Sequence, residues 1–180
     1  LEGFRWLVRL AAWGAGACLA DDLGLGKTLQ SLALLLHRAP GGPALVVAPT
    51  SVVPNWLQEA QRFAPTLRLR EYRGAGRAGL LDGARPFDVL VGSYTLVQQD
   101  VEAIGARRWH TVILDEAQQV KNATTKRAQA VLALDAEFRV ATTGTPVENL
   151  LDELWMLFRF LNTGLLGTRD PGARTRLTET

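Results

Sequence analysis

The sequence predicts an α/β fold of three layers, with a mainly parallel sheet covered by helices on both faces, and three observations carry that expectation. Apolar runs of four to six residues recur with helical patterns between them, the alternation of a βαβ architecture. A glycine-containing loop follows the first of these runs, ends in Lys27-Thr28 and leads directly into an apolar helix. A later run, Thr111-Val112-Ile113-Leu114, ends in two adjacent carboxylates, Asp115 and Glu116. At 180 residues and 19.6 kDa the chain has the size of one domain and can bury roughly two-thirds of its unfolded surface. Its 47% hydrophobic and 21% charged residues exclude collagenous, coiled-coil and disordered classes.

Taken in order, a helix is expected over 2–13, a strand over 17–20, a helix over 27–37, a strand over 44–48 and a helix over 53–63. Strands follow over 67–72 and 88–92, then a helix over 95–104 and the strand that ends at Leu114. A helix over 124–134, a strand over 139–143 and a helix over 149–161 complete the pattern. In the last helix Leu150, Leu154, Leu157 and Leu161 recur at spacings of four, three and four, and Asn149 can cap the first turn. Residues 1–166 read as one lobe. Residues 167–180, a mixture of Gly, Thr and Arg, read as a loose, disordered tail or a truncation point.

No apolar run approaches the roughly 18 residues that span a bilayer, and the first residues do not form a signal peptide. A lone cysteine, Cys18, cannot close an internal disulfide, so a cytoplasmic protein is expected. Net charge is only +2, so any nucleic-acid contact must rest on local groups. Seventeen arginines against three lysines, with abundant Ala and Gly, suggest the codon bias of a GC-rich genome such as a bacterial one.

The segment Asp21-Asp22-Leu23-Gly24-Leu25-Gly26-Lys27-Thr28 has the order strand, glycine loop, Lys-Thr, helix that defines a P-loop, although Asp21 stands where the strict pattern has glycine. Gly24 and Gly26 let the backbone wrap a phosphate, and the helix N-terminus turns its N–H groups toward the anion. Lys27 would meet the β and γ phosphates, and the Thr28 hydroxyl would hold Mg²⁺. The carboxylate pair 88 residues beyond Lys27 suits a Walker B strand end, with Asp115 binding Mg²⁺ and Glu116 activating water. Gly74-Ala75-Gly76-Arg77-Ala78-Gly79 spells a second glycine motif, but the helix after it runs only from Ala78 to about Asp82, so it reads as a flexible surface loop. Trp56, Trp109 and Trp155 read as packing residues, and His37 and His110 are too isolated to make a metal site.

These segments, together with Thr143-Gly144-Thr145-Pro146-Val147-Glu148-Asn149, occur in an order that resembles the N-terminal RecA-like lobe of the Swi/Snf-type ATPases, DNA translocases of helicase superfamily II. The stretches 2–7, 48–56 and 150–161 fit the same resemblance. It implies an ATP-dependent motor with Mg²⁺, tracking on double-stranded DNA to remodel nucleoprotein complexes. Its nucleotide site would comprise Asp22, Gly24, Leu25, Gly26, Lys27, Thr28 and Leu29, with Lys27, Asp115, Glu116 and Gln118 in the chemistry. The resemblance also assigns Thr50, Ser51, Ser93 and Tyr94 to DNA backbone, and Gln118 with Thr143, Gly144 and Thr145 to coupling between nucleotide state and lobe closure. An ordinary N-cap is the alternative for Ser51.

The family's adenine-reading glutamine would precede Leu1, and a second RecA-like lobe carrying arginine fingers would follow Gly167. The chain is therefore expected to be part of a longer motor. A strand-separating or RNA helicase of the same superfamily, and a noncatalytic binding module, are the rival readings. Intact Lys27, Asp115 and Glu116 weigh against the second.

Overall fold

The structure, a computed structural model, describes residues 2–20, 26–144 and 150–163. Six strands form one sheet: β1 (Ala17–Leu19), β2 (Ala44–Ala48), β3 (Arg68–Glu71), β4 (Asp88–Ser93), β5 (Arg108–Leu114) and β6 (Asp135–Thr142). Their order is β1-β6-β5-β2-β4-β3, and every described pairing is parallel. The helices are α1 (Glu2–Trp13), α2 (Lys27–Arg38), α3 (Val53–Phe63), α4 (Ala78–Asp82), α5 (Tyr94–Gln99), α6 (Val101–Gly105), α7 (Lys126–Leu132) and α8 (Leu150–Leu161).

Alternation along the strands divides the apolar side chains between two cores, because successive residues of a strand face opposite sides of the sheet. Val46, Val89, Val91, Ile113 and Val140 pack with Leu32, Leu35 and Trp56 of α2 and α3. Leu45, Leu90, Val112, Leu114 and Ala141 pack on the other face with Val97, Val131 and Phe160 of α5, α7 and α8. Buried on both faces, the central strands read as continuous apolar runs. Burying such a side chain fully contributes about 1.5–3 kcal/mol, and truncating one such as Ile113 to alanine costs about 2–5 kcal/mol.

Several expected elements differ in extent; α7, for example, covers only Lys126–Leu132 of the helix expected over 124–134. β5 and β6 begin earlier than their apolar runs, at Arg108 and Asp135, because exposed Arg108, Asp135 and Glu137 alternate there with more buried neighbours such as Trp109 and Phe138 and the strands already pair at Arg108 and Asp135. The single helix expected over 95–104 is divided at Asp100, whose φ of −109° and ψ of 27° depart from helical values. The Asp100 carboxylate accepts from the Tyr72 hydroxyl at 2.9 Å and pairs with both sides of the Arg77 guanidinium. The glycine loop ahead of α4 is on the surface as expected, but Arg77 tethers it to this carboxylate. Residues 164–180, and with them the expected tail, lie outside the described residues.

All strands being parallel, their carboxyl ends share one edge of the sheet, where open α/β folds bind ligands. β1 delivers the chain to the segment before Gly26, β2 to the turn before α3, β4 to Ser93 and Tyr94, β5 to Asp115 and Glu116, and β6 to Thr143 and Gly144.

Candidate functional site

At this edge a cleft of about 260 Å³ is lined by Gly26, Lys27 and Thr28 on one side and by Asp115 and Glu116 on another, with Val52, Asn55 and Glu59 completing it from α3 and its N-cap. Gly26 caps α2 with φ 75° and ψ 30°, a left-handed conformation that glycine adopts without Cβ strain. Gly26, Lys27 and Thr28 bring the N-terminus of α2 to the cleft, and an anion suits a helix N-terminus. Asp22, Gly24, Leu25 and Thr145 lie outside the described residues. Leu29 is exposed on α2 and does not line the cleft.

Asp115 follows the last residue of β5, and its amide continues the ladder to the Val47 carbonyl at 2.8 Å. Although it is only 7% exposed, its carboxylate is well provided with donors. Trp56 Nε1 donates to Oδ2 at 2.8 Å from the α3 side of the sheet. Thr142 Oγ1 donates to Oδ1 at 2.5 Å from β6, and the Glu116 amide donates to the same oxygen at 3.0 Å. Tyr94 Oη donates to the Asp115 carbonyl at 2.8 Å from the α5 side. A buried carboxylate is tolerated where such donors replace water.

Glu116 has φ 50° and ψ 54°, a left-handed conformation uncommon for a residue with a side chain. Such outliers concentrate at functional sites. Beyond it the chain enters a short 3-10 turn, Ala117–Val120. Gln118 Nε2 donates to Glu116 Oε2, and Gln118 Oε1 accepts from Thr143 Oγ1 at 3.0 Å. The Thr143 amide donates to the Leu19 carbonyl at 3.0 Å, tying this chain of contacts to the end of β1. Gly144 follows, half-buried.

Thr50 and Ser51 occupy an exposed turn in which the Val52 and Val53 amides donate to the Pro49 carbonyl. Ser51 is not the N-cap of α3; Val52 holds that position, without a side-chain cap. The other pair expected on DNA is turned inward. Ser93 caps α5 by accepting from the Leu96 amide at 3.3 Å, and the Tyr94 side chain is buried. Burial first, then the neighbouring charges of Asp115 and Glu116, hold the Tyr94 phenol well above its ordinary pKa. Trp56 and Trp109 are fully buried, as their reading as packing residues requires, and Trp155 is half-buried. Among the described residues no three His, Cys, Asp or Glu side chains cluster as a metal site.

Sequence reasoning passed over Asn55, Glu59 and Thr142, and it read Trp56 only as packing. The local pattern could have flagged Asn55 and Glu59, since a helix brings positions four apart onto one face. Asn55 Nδ2 indeed donates to Glu59 Oε1 at 3.1 Å. A larger cleft, about 340 Å³, opens at the amino end of β6 beside Arg139 and Asn162. It lies at the opposite edge from Lys27, Asp115 and Glu116.

A family model described as the SNF2-related domain matches residues 1–172. The chain belongs to that family. Its fold is the RecA-like P-loop lobe of the SWI2/SNF2 ATPase core: it superposes on the Sulfolobus solfataricus SWI2/SNF2 ATPase core in complex with dsDNA with a TM-score of 0.83. The two are 38% identical, over 93% of this chain and 36% of that one. The Bacillus subtilis protein YwqA, by its name a candidate ATP-dependent helicase/translocase, is 45% identical over 173 residues, 92% of this chain and 19% of that protein. Helicase ssl-1 of Caenorhabditis elegans is 41% identical over 94% of this chain and 8% of its own length. The chain thus spans a small part of the SNF2-family relatives it matches. Among the described residues no helix is long and apolar enough to cross a membrane.

Proposed function

We infer that residues 1–166 form the ATP-binding lobe of a SNF2-type, DNA-dependent ATPase that works on double-stranded DNA together with a second RecA-like lobe. The observation that carries this reading is the single cleft onto which Lys27 and Thr28, at the start of α2, and Asp115 and Glu116, at the end of β5, all open. Family membership adds the prior that such a cleft binds Mg·ATP. The donor set fits: a hydroxyl and a carboxylate supply the hard oxygen atoms that Mg²⁺ prefers, one or two protein ligands being usual.

In this reading the Lys27 ammonium lies against the β and γ phosphates, and the N–H groups of the α2 terminus hold their oxygens. Thr28 and Asp115 hold Mg²⁺, which when bound would offset the charge gathering on the transferred phosphoryl group. Glu116 accepts the proton of the attacking water, and its bond from Gln118 orients the carboxylate. The contact of Gln118 with Thr143 supports a coupling role for Gln118, Thr143, Gly144 and Thr145. Thr50 and Ser51 hold DNA through phosphates, which carry no base information. Ser93 and Tyr94 serve the same surface indirectly, by fixing the start of α5 and the Asp115 backbone. A cytoplasmic location accords with this work.

Titration of the chain with a fluorescent ATP analogue in Mg²⁺ tests the reading. Lys27→Ala is expected to abolish detectable binding, because Lys27 is the cation that lines the described cleft. Binding equal to that of the unsubstituted chain would remove the P-loop assignment.

A further inference from the structure

An ionised carboxylate offers about four lone-pair sites, and three at Asp115 are occupied by protein donors. Oδ1 takes Thr142 Oγ1 and the Glu116 amide; Oδ2 takes Trp56 Nε1. Counting donors from the described residues, one site is left, on Oδ2. We propose that Trp56 is a positioning residue of the magnesium site: its indole N–H fixes the rotation of the Asp115 carboxylate, so that the remaining Oδ2 lone pair is the one offered to Mg²⁺ or to a water on it. This rests on the Mg·ATP reading of the cleft.

Two buried tryptophans show the difference between packing and positioning. Both are fully buried, and a buried indole N–H needs a partner. Trp109 donates to the Ile104 carbonyl at 3.1 Å, a backbone atom five residues away and remote from the cleft. Trp56 instead donates at 2.8 Å to a carboxylate 59 residues further along the chain, a shorter, charge-assisted bond into the site itself. Trp56 cannot easily follow a wandering carboxylate, because its ring is packed in the core between α2, α3 and the sheet. Asn55 and Glu59, on the same helix, line the cleft that Asp115 faces, so the Trp56 contact belongs to the wall of the site.

Groups that hydrogen-bond a metal-binding side chain typically change metal affinity by about 10- to 100-fold when removed. Trp56→Phe keeps most of the ring and deletes the donor. With Mn²⁺ as the probe, followed by its electron paramagnetic resonance in the presence of ATP, the variant is expected to bind metal about tenfold more weakly. Its affinity for ATP in EDTA should stay unchanged. Unchanged Mn²⁺ affinity in a folded Trp56→Phe protein would overturn the proposal, as would equal losses with and without metal, which would mark a packing defect. Should Trp56→Phe not fold, the indole ¹H–¹⁵N resonances of the chain decide: Asp115→Asn should shift the Trp56 signal and speed its hydrogen exchange while leaving Trp109 in place. A Trp56 signal indifferent to Asp115→Asn refutes the link. An unsubstituted chain that binds neither ATP nor Mn²⁺ would remove the Mg·ATP reading and the proposal together, whereas the outcomes above remove the proposal alone.

Discussion

Glu116 combines an unusual backbone with a committed side chain. Its left-handed φ directs the chain into the 3-10 turn that carries Gln118 back to the Glu116 carboxylate. Replacing the carboxylate with an amide leaves the Asp115 donors and the Lys27 side of the cleft intact but removes the proton acceptor. Glu116→Gln is therefore expected to bind Mg·ATP as the unsubstituted chain does, while hydrolysis in the assembled motor falls by about 10²- to 10⁴-fold, the usual worth of a general base. Nucleotide titration beside single-turnover phosphate release checks both halves, and normal turnover would take Glu116 out of the chemistry. At this scale the sequence is informative where chemistry sits in a contiguous run. Lys27-Thr28 and Asp115-Glu116 declare themselves. Thr142 and Trp56 do not, since their meaning is a hydrogen bond to a carboxylate 27 and 59 residues away. Tyr94 is a related case: the resemblance assigns it to DNA backbone, and only the fold shows its hydroxyl on the Asp115 carbonyl.

Between residue and molecule, the break between α5 and α6 shows one carboxylate reorganising an element. The pattern over 95–104 is continuous enough to read as one helix, and only the fold brings Tyr72 and Arg77 onto Asp100. By contrast α1, β2 and α3 have the spans their apolar periodicity predicts. The hydrogen bond from Arg77 is the main cause that lowers the Asp100 pKa below its ordinary value, burial opposing it. Burial and the Asp100 carboxylate raise the Tyr72 phenol to about 12. A carboxyl whose folded pKa is depressed stabilises the fold above its unfolded value near 4, and that contribution disappears as pH falls through the folded value. Arg77→Ala should accordingly lower the urea midpoint at pH 7, and the difference from the unsubstituted chain should shrink as the pH falls below about 4. A difference of the same size at pH 7 and at pH 2.5 would show that Arg77 acts by loop packing instead of through Asp100.

On the scale of the whole molecule, the recurrence of apolar runs with helical patterns between them is enough to predict three layers, whereas the order β1-β6-β5-β2-β4-β3 is not legible. Each central strand is apolar on both faces, so its sequence says that it is interior but not which neighbours it pairs with. That order nevertheless shapes the candidate site, for it sets β5 between β2 and β6 and so surrounds Asp115 with α3, α5 and Thr142.

The same layout bears on what this chain can catalyse by itself. In the proposed reading Lys27, Thr28, Asp115 and Glu116 place nucleotide, metal and water, yet no arginine lines the described cleft. An arginine directed at the transferred phosphoryl group is worth about 10³- to 10⁵-fold in related reactions, and in the proposed motor it comes from the opposite lobe. Duplex DNA bound at the Thr50-Ser51 turn would then have nothing to close against the nucleotide. The 180-residue chain is expected to release phosphate slowly and without several-fold stimulation by duplex DNA. Steady-state phosphate release with and without a duplex checks this, with Glu116→Gln run in parallel to expose any contaminating ATPase. A several-fold stimulation that vanished in Glu116→Gln would mean that this lobe supplies the whole catalytic charge itself, and the two-lobe mechanism would have to be abandoned.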